Sequence, residues 1–132
     1  MQIGETPATE SFGPRRFHTG DLFVLGKHLR VQSMRKDGSW DPNGDLFTGK
    51  SGPTKLGVEK NKGEWNQMEI QVYGSKKAVF ILNGEIVYEI MNFEQKNESG
   101  DYIQLTEGHI GLQAEWAEIL YRNILIKEII TQ

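Results

Sequence analysis

The chain contains no cysteine among its 132 residues, which excludes a disulfide framework and a thiol nucleophile. The absence does not fix a compartment, because exported proteins also lack cysteine. Long apolar runs are missing too. None reaches the roughly 18 residues that a membrane-spanning helix requires. Neither charge sign dominates: 15 basic and 18 acidic residues leave a net charge of −3. That balance suits solubility but lacks the basic surface that a phosphate backbone demands. Neither a nucleic-acid partner nor a membrane is therefore expected. Histidine is scarce, and His18, His28 and His109 have no close ligand spacing, which argues against a zinc site. There is no phosphate-binding glycine loop and no serine nucleophile elbow. The opening stretch Met1–Pro14 lacks the apolar run of a secretion signal. That leaves a cytoplasmic protein or a signal outside this sequence, and the compartment stays open.

What the chain does contain is turn and strand signals. Its length fits one domain that can bury a core without cross-links. Residues 1–16, rich in Gly, Pro, Thr, Ser and Glu, read as a mobile lead-in, and residues 17–132 as a single domain. Two short apolar runs follow, Leu22–Leu25 and Leu29–Val31. The second alternates with His28, Arg30 and Gln32, as in a strand with one polar face. Residues 33–63 are turn-rich, with a short strand expected at Asp45–Phe47. Met68, Ile70 and Val72 then alternate with Glu69, Gln71 and Tyr73. Ala78–Leu82 is continuously apolar, as for a strand covered on both faces. Asn83-Gly84 is the dipeptide that most readily takes the positive φ angles of a two-residue hairpin. The partner strand is expected over Glu85–Met91, with Ile86, Tyr88 and Ile90 on one face, and a polar loop over Asn92–Asp101. Tyr102–Leu105, His109–Glu115 and Glu118–Ile130 complete the expected strands. In the last, Leu120, Arg122, Ile124 and Ile126 alternate with Tyr121, Asn123 and Leu125. Many short strands and no convincing helix favour an all-β sandwich.

Three islands sharpen this: Trp65-Asn66 before Glu69-Ile70, then Leu82-Asn83-Gly84, then Gly111-Leu112-Gln113 followed by Tyr121-Arg122-Asn123-Ile124 and Ile126-Lys127-Glu128. In this order they resemble the closing half of the 3-keto-disaccharide hydrolase domain family. Upstream, Leu29–Gln32 and Gly44–Phe47 are similar to further family segments. The chain departs from the pattern where Leu112 follows Gly111 directly, and where Arg30 stands at a position often held by Glu. The resemblance implies a concanavalin-like jelly-roll β-sandwich of two antiparallel sheets, with a carbohydrate groove on the concave one. It also suggests export to the periplasm or beyond. The resemblance also implies opening strands ahead of the matched segments that this sequence is not expected to supply, so pairing through an open sheet edge, as a homo-oligomer, is expected.

The candidate site residues each carry a structural alternative. Asp45 lies in the segment resembling the family's Gly-Asp motif, but an Asp after Asn43-Gly44 also caps turns. Asp45 and His28 are the candidate catalytic bases. Arg30 and Gln32 share a strand face with His28 and could hold sugar oxygens, unless that face is simply an outer one. Gln113 and Arg122 are family positions that either bind substrate or keep the sandwich in register. Trp40 and Trp116, beside loops, offer flat faces for sugar rings, whereas Trp65, opening a strand, is expected in the core. The oxygen-rich series Asp37, Ser39, Asp41, Asn43 and Asp45 could bind Ca²⁺. It lacks the Gly and Glu of an EF-hand loop, so a polar turn cluster is the default and no metal or cofactor is assigned. The Glu-x-Asp-x-x-Glu strand motif of laminarinase-like sandwiches is missing.

The resemblance thus implies an enzyme acting on a 3-keto-glycoside by elimination and hydration. That chemistry needs one base and a group to polarise the ketone, not two opposed carboxyls. Two alternatives stay open: a non-catalytic carbohydrate-binding module, and a domain that pairs through a sheet edge.

Overall fold

The computed structural model describes residues 19, 22–24, 29–33, 49–51, 57–61, 63–114 and 118–130. Among them the chain is all-β and holds no helix, in agreement with the β-sandwich, jelly-roll class. The strands are β1 (Leu22–Val24), β2 (Leu29–Ser33), β3 (Gly49–Ser51), β4 (Met68–Tyr73), β5 (Lys77–Leu82), β6 (Glu85–Lys96) and β7 (Tyr102–Gln104). β1 and β3 form a two-stranded antiparallel sheet. The other five form one antiparallel sheet in the order β2-β6-β5-β4, with β7 also on β6. Glu94 of β6 is paired with both Arg30 of β2 and Gln104 of β7, so β2 and β7 flank the same end of β6.

Alternation along these strands sorts the side chains. Ala78, Phe80 and Leu82 of β5, Val87, Tyr88, Ile90 and Phe93 of β6, and Val31 of β2 form one buried cluster, edged by Leu29, Val58, Met68 and Leu105. Leu82, Val87 and Tyr88 are essentially inaccessible, and burying an aliphatic side chain of this size contributes about 1.5–3 kcal/mol. Phe80 and Tyr88 face each other across the strand pair and stack at 6.2 Å between centroids. Val79 is also buried but stands outside the cluster. β5 is therefore covered on both faces, as its unbroken apolar run predicts.

Asn83 and Gly84 carry the β5–β6 turn at φ 51° and 86°, the paired positive angles of a tight hairpin. β6 departs from expectation twice. Its register on β5 shifts between Phe80 and Ile81, leaving Tyr88 and Ile90 buried but Ile86 52% exposed. The strand also runs on to Lys96 through the stretch expected to be a loop. Asn92 sits at φ 53° where the β2 register slips, Arg30 pairing with Glu94 and Gln32 with Met91. One inserted residue of this kind, a β-bulge, re-aims the strand. Here it turns Phe93 into the core and keeps Arg30, Gln32, Met91 and Glu94 on the opposite face.

The strands expected over His109–Glu115 and Glu118–Ile130 are not formed among the described residues. Residues 118–130 show the apolar alternation of a strand but no ladder, and Leu125, Ile126 and Ile130 are more than four-fifths exposed. A strand exists only by pairing, and no neighbour among the described residues lines up with this segment. Asn123, at φ 53°, also interrupts its alternation. The expected Asp45–Phe47 strand lies outside the described residues. No helix among them is long and apolar enough to cross a membrane.

Candidate functional site

The face of the five-stranded sheet opposite the core cluster is mostly polar, with the buried Val79 and half-buried Ile81 of β5 also on it. Across it run Arg30 and Gln32 on β2, Glu89, Met91 and Glu94 on β6, Lys77 on β5, Gln71 and Tyr73 on β4, and Tyr102 and Gln104 on β7, by their pairing. Arg30 donates from Nε to Oε2 of Glu94 at 2.5 Å, and its Cζ lies 3.9 Å from the centre of the Tyr102 ring. Lys96 approaches the same ring at 5.2 Å. Gln32 is buried, and its Oε1 accepts from Nδ2 of Asn92 at 2.7 Å. Farther along, Lys77 pairs with Glu89, and Tyr73 donates to Gln71, which donates to Glu69. One end of the face is thus a cation held between a carboxylate and an aromatic ring, beside a fixed amide. Such groups recognise oxygen-rich ligands.

The islands of the sequence pattern meet elsewhere, and their contacts are structural. Asn83 Nδ2 donates to the Val58 carbonyl and to Asn66 Oδ1, both at 2.8 Å. Its Oδ1 accepts from the Gln67 N–H at 2.9 Å, and its own N–H donates to the Gln67 carbonyl. Asn66 Oδ1 also accepts from the Lys60 N–H. The Arg122 guanidinium lies over the Trp65 ring at 3.8 Å, and Tyr121 donates its hydroxyl to the Gln113 carbonyl at 2.6 Å. Trp65 is therefore not a core residue. It is 42% exposed, and the cation covers its ring in place of apolar packing.

Of the candidate site residues, Arg30 and Gln32 come together on the polar face. Arg122 and Gln113 belong to the Trp65 corner, and both are exposed. His28, Trp40, Asp45 and Trp116 lie outside the described residues. Sequence reasoning missed Glu94, Tyr102 and Asn92, which complete the surroundings of Arg30 and Gln32. The one apolar residue of Asn92–Lys96, Phe93, was the available signal that the strand continues. An open groove of about 480 Å³ lies at the far end of β4, lined by Val72, Tyr73, Gly74, Ser75, Lys76 and Ile129. Of the candidate residues that are described, Arg30, Gln32, Gln113 and Arg122, none lines it. Among the described residues no three His, Cys, Asp or Glu side chains gather around a point that could hold a metal ion, and the Asp37–Asp45 series lies outside them.

Residues 8–127 match the family described as the 3-keto-alpha-glucoside-1,2-lyase-like domain. No curated protein and no solved structure matches the chain. The family match takes in β1 to β7, the polar face and the Trp65 corner alike. The chain therefore belongs to the 3-keto-alpha-glucoside-1,2-lyase-like domain family.

Proposed function

We propose that the protein cleaves a glycoside already oxidised to a ketone at sugar C3. Family membership supports carbohydrate chemistry, and the observation that carries the finer reading is the Arg30–Gln32 arrangement on one sheet face. A ketone at C3 acidifies the hydrogen on C2. A base, Asp45 or His28, takes that proton, and the electron pair it leaves delocalises onto the ketone oxygen. As the carbonyl re-forms, a C1–C2 double bond forms and the C1–O bond breaks, expelling the glycosidic substituent. Water then adds across that double bond, its oxygen to C1. Arg30 receives the charge that builds on the ketone oxygen, and Gln32 holds a neighbouring hydroxyl. A positioned cation acts here because it binds the charged intermediate more strongly than the neutral ketone.

The test is incubation with 3-keto-glucosides and their unoxidised parents, with Ca²⁺ and again with EDTA, followed by product analysis. Release from the keto-sugar alone is expected, with loss of turnover in Asp45→Asn or His28→Ala. Full turnover in both variants would remove those two residues as the base. Binding of glycan without turnover would instead make this a carbohydrate-binding module.

A second reading, association with another copy, is favoured by the exposed apolar segment 118–130 and by β4, which among the described residues has a strand on one side only. Among the described residues one element lacks a ladder and the other has a free edge, so two identical chains can satisfy both. Solution mass decides it. A monomer at high concentration removes this reading.

A further inference from the structure

Among the described residues of the polar face, Arg30 is the cation held on two sides, and the way it is held leaves one edge open. Its Nε is taken by Glu94 at 2.5 Å, and one plane of the guanidinium lies on Tyr102 at 3.9 Å. Its side chain remains 33% exposed. Among the described residues no other group bonds it. Among the described residues, the two terminal nitrogens, which carry four of the five N–H donors of a guanidinium, therefore have no acceptor. An arginine used only as a structural tie commonly spends that forked edge on a carboxylate. Here Glu94 binds the side instead.

We propose that Glu94 and Tyr102 are positioning residues, which hold Arg30 so that its open Nη edge receives an oxygen that becomes negatively charged. This rests on the reading above, in which that oxygen is the substrate's ketone oxygen as C2 loses its proton. Three features support it. Anchoring at Nε fixes the direction of the fork, since the group is planar. Contact with the ring restrains rotation about the last side-chain bonds. Glu94 cancels one positive charge, so Arg30, Lys96 and Glu94 together keep a net positive charge without two bare cations side by side. Glu94 and Tyr102 come from β6 and β7, which flank one another at this end of the sheet. The backbone thus supplies the alignment before any ligand arrives.

The test uses two readouts, one independent of turnover. In nitrogen–proton NMR of the full chain, the Arg30 Nε–Hε signal exchanges slowly with water and shifts on titration with inorganic phosphate, a stand-in for the charged oxygen. Glu94→Ala and Tyr102→Leu, each checked for folding by circular dichroism, speed that exchange and weaken the phosphate response. Glu94→Gln, which keeps an acceptor for Nε, falls between. With a 3-keto-glucoside, Glu94→Ala lowers kcat about 10²-fold, as for a misplaced reacting group, while KM changes little. An Arg30 signal unaltered in Glu94→Ala overturns the proposal, and so does a phosphate response that survives Arg30→Ala. A parent protein that shows the signal and the phosphate response but turns over no keto-sugar overturns the assignment to a ketone oxygen, and the activity reading with it. That outcome is distinct from failure of the positioning device, which the NMR alone reveals.

Discussion

Asn83 and Asn66 are joined amide to amide, Nδ2 of the first donating to Oδ1 of the second at 2.8 Å. The bond ties the turn between β5 and β6 to the residue pair that leads into β4. Asn83 spends both ends of its side chain on other segments while its backbone holds a positive φ. We expect Asn83→Ala to lose about 4 kcal/mol, from three side-chain hydrogen bonds near 1 kcal/mol each and about 1 kcal/mol for a backbone angle alanine disfavours. Asn83→Gly, free of the angular strain, should lose less. Urea midpoints separate the two, and equal losses would mean that the angle contributes nothing.

Tyr88 presents the opposite case. Its ring is 1% exposed, and its hydroxyl is buried with no hydrogen-bond partner among the described residues. An unsatisfied buried hydroxyl costs about 1–3 kcal/mol. Tyr88→Phe keeps the stack on Phe80 and removes that cost, so the thermal midpoint should rise. A fall would show that the hydroxyl is satisfied in solution.

The bulge at Asn92 couples backbone geometry to the polar face. Asn92→Gly keeps φ 53° accessible but deletes the donor to Gln32, and should cost about 1 kcal/mol. Asn92→Val adds a β-branched residue at a left-handed angle and should cost more. Thermal unfolding of the two variants ranks them. Equal midpoints would mean that the strand absorbs the inserted residue without the positive angle.

The Arg122–Trp65 contact is open to solvent on both sides, so its worth is small. A double-mutant cycle with Arg122→Ala and Trp65→Ala should give a coupling of about 0.5–1 kcal/mol. Strict additivity would reduce the contact to coincidence of position.

The hairpin was legible because its determinants are local. Asn83-Gly84 demands positive φ angles, and the apolar run before it demands cover on both faces. The shared face of Arg30 and Gln32 followed from alternation alone. Glu94 was not legible, since it meets Arg30 across 64 positions of sequence and sits in a stretch whose composition reads as loop. That stretch is a strand only because β2 and β7 close on either side of it. The reverse held at Leu120–Ile130, where a strand pattern is written in full but pairing, a non-local property, is not supplied by the described residues. The turn-rich half of the chain offered breakers without periodicity, and its candidates Trp40 and Asp45 lie outside the described residues.

The ladderless segment gives the chain two stabilities. Amide hydrogens of β5 and β6 exchange only when the sheet opens as a unit, whereas those of residues 118–130, which no backbone acceptor holds among the described residues, are released by local fluctuation. A protease offered the folded protein should therefore cut near Leu120–Ile130 before it cuts β5 or β6, and the rate of that cut will report what the segment touches in solution.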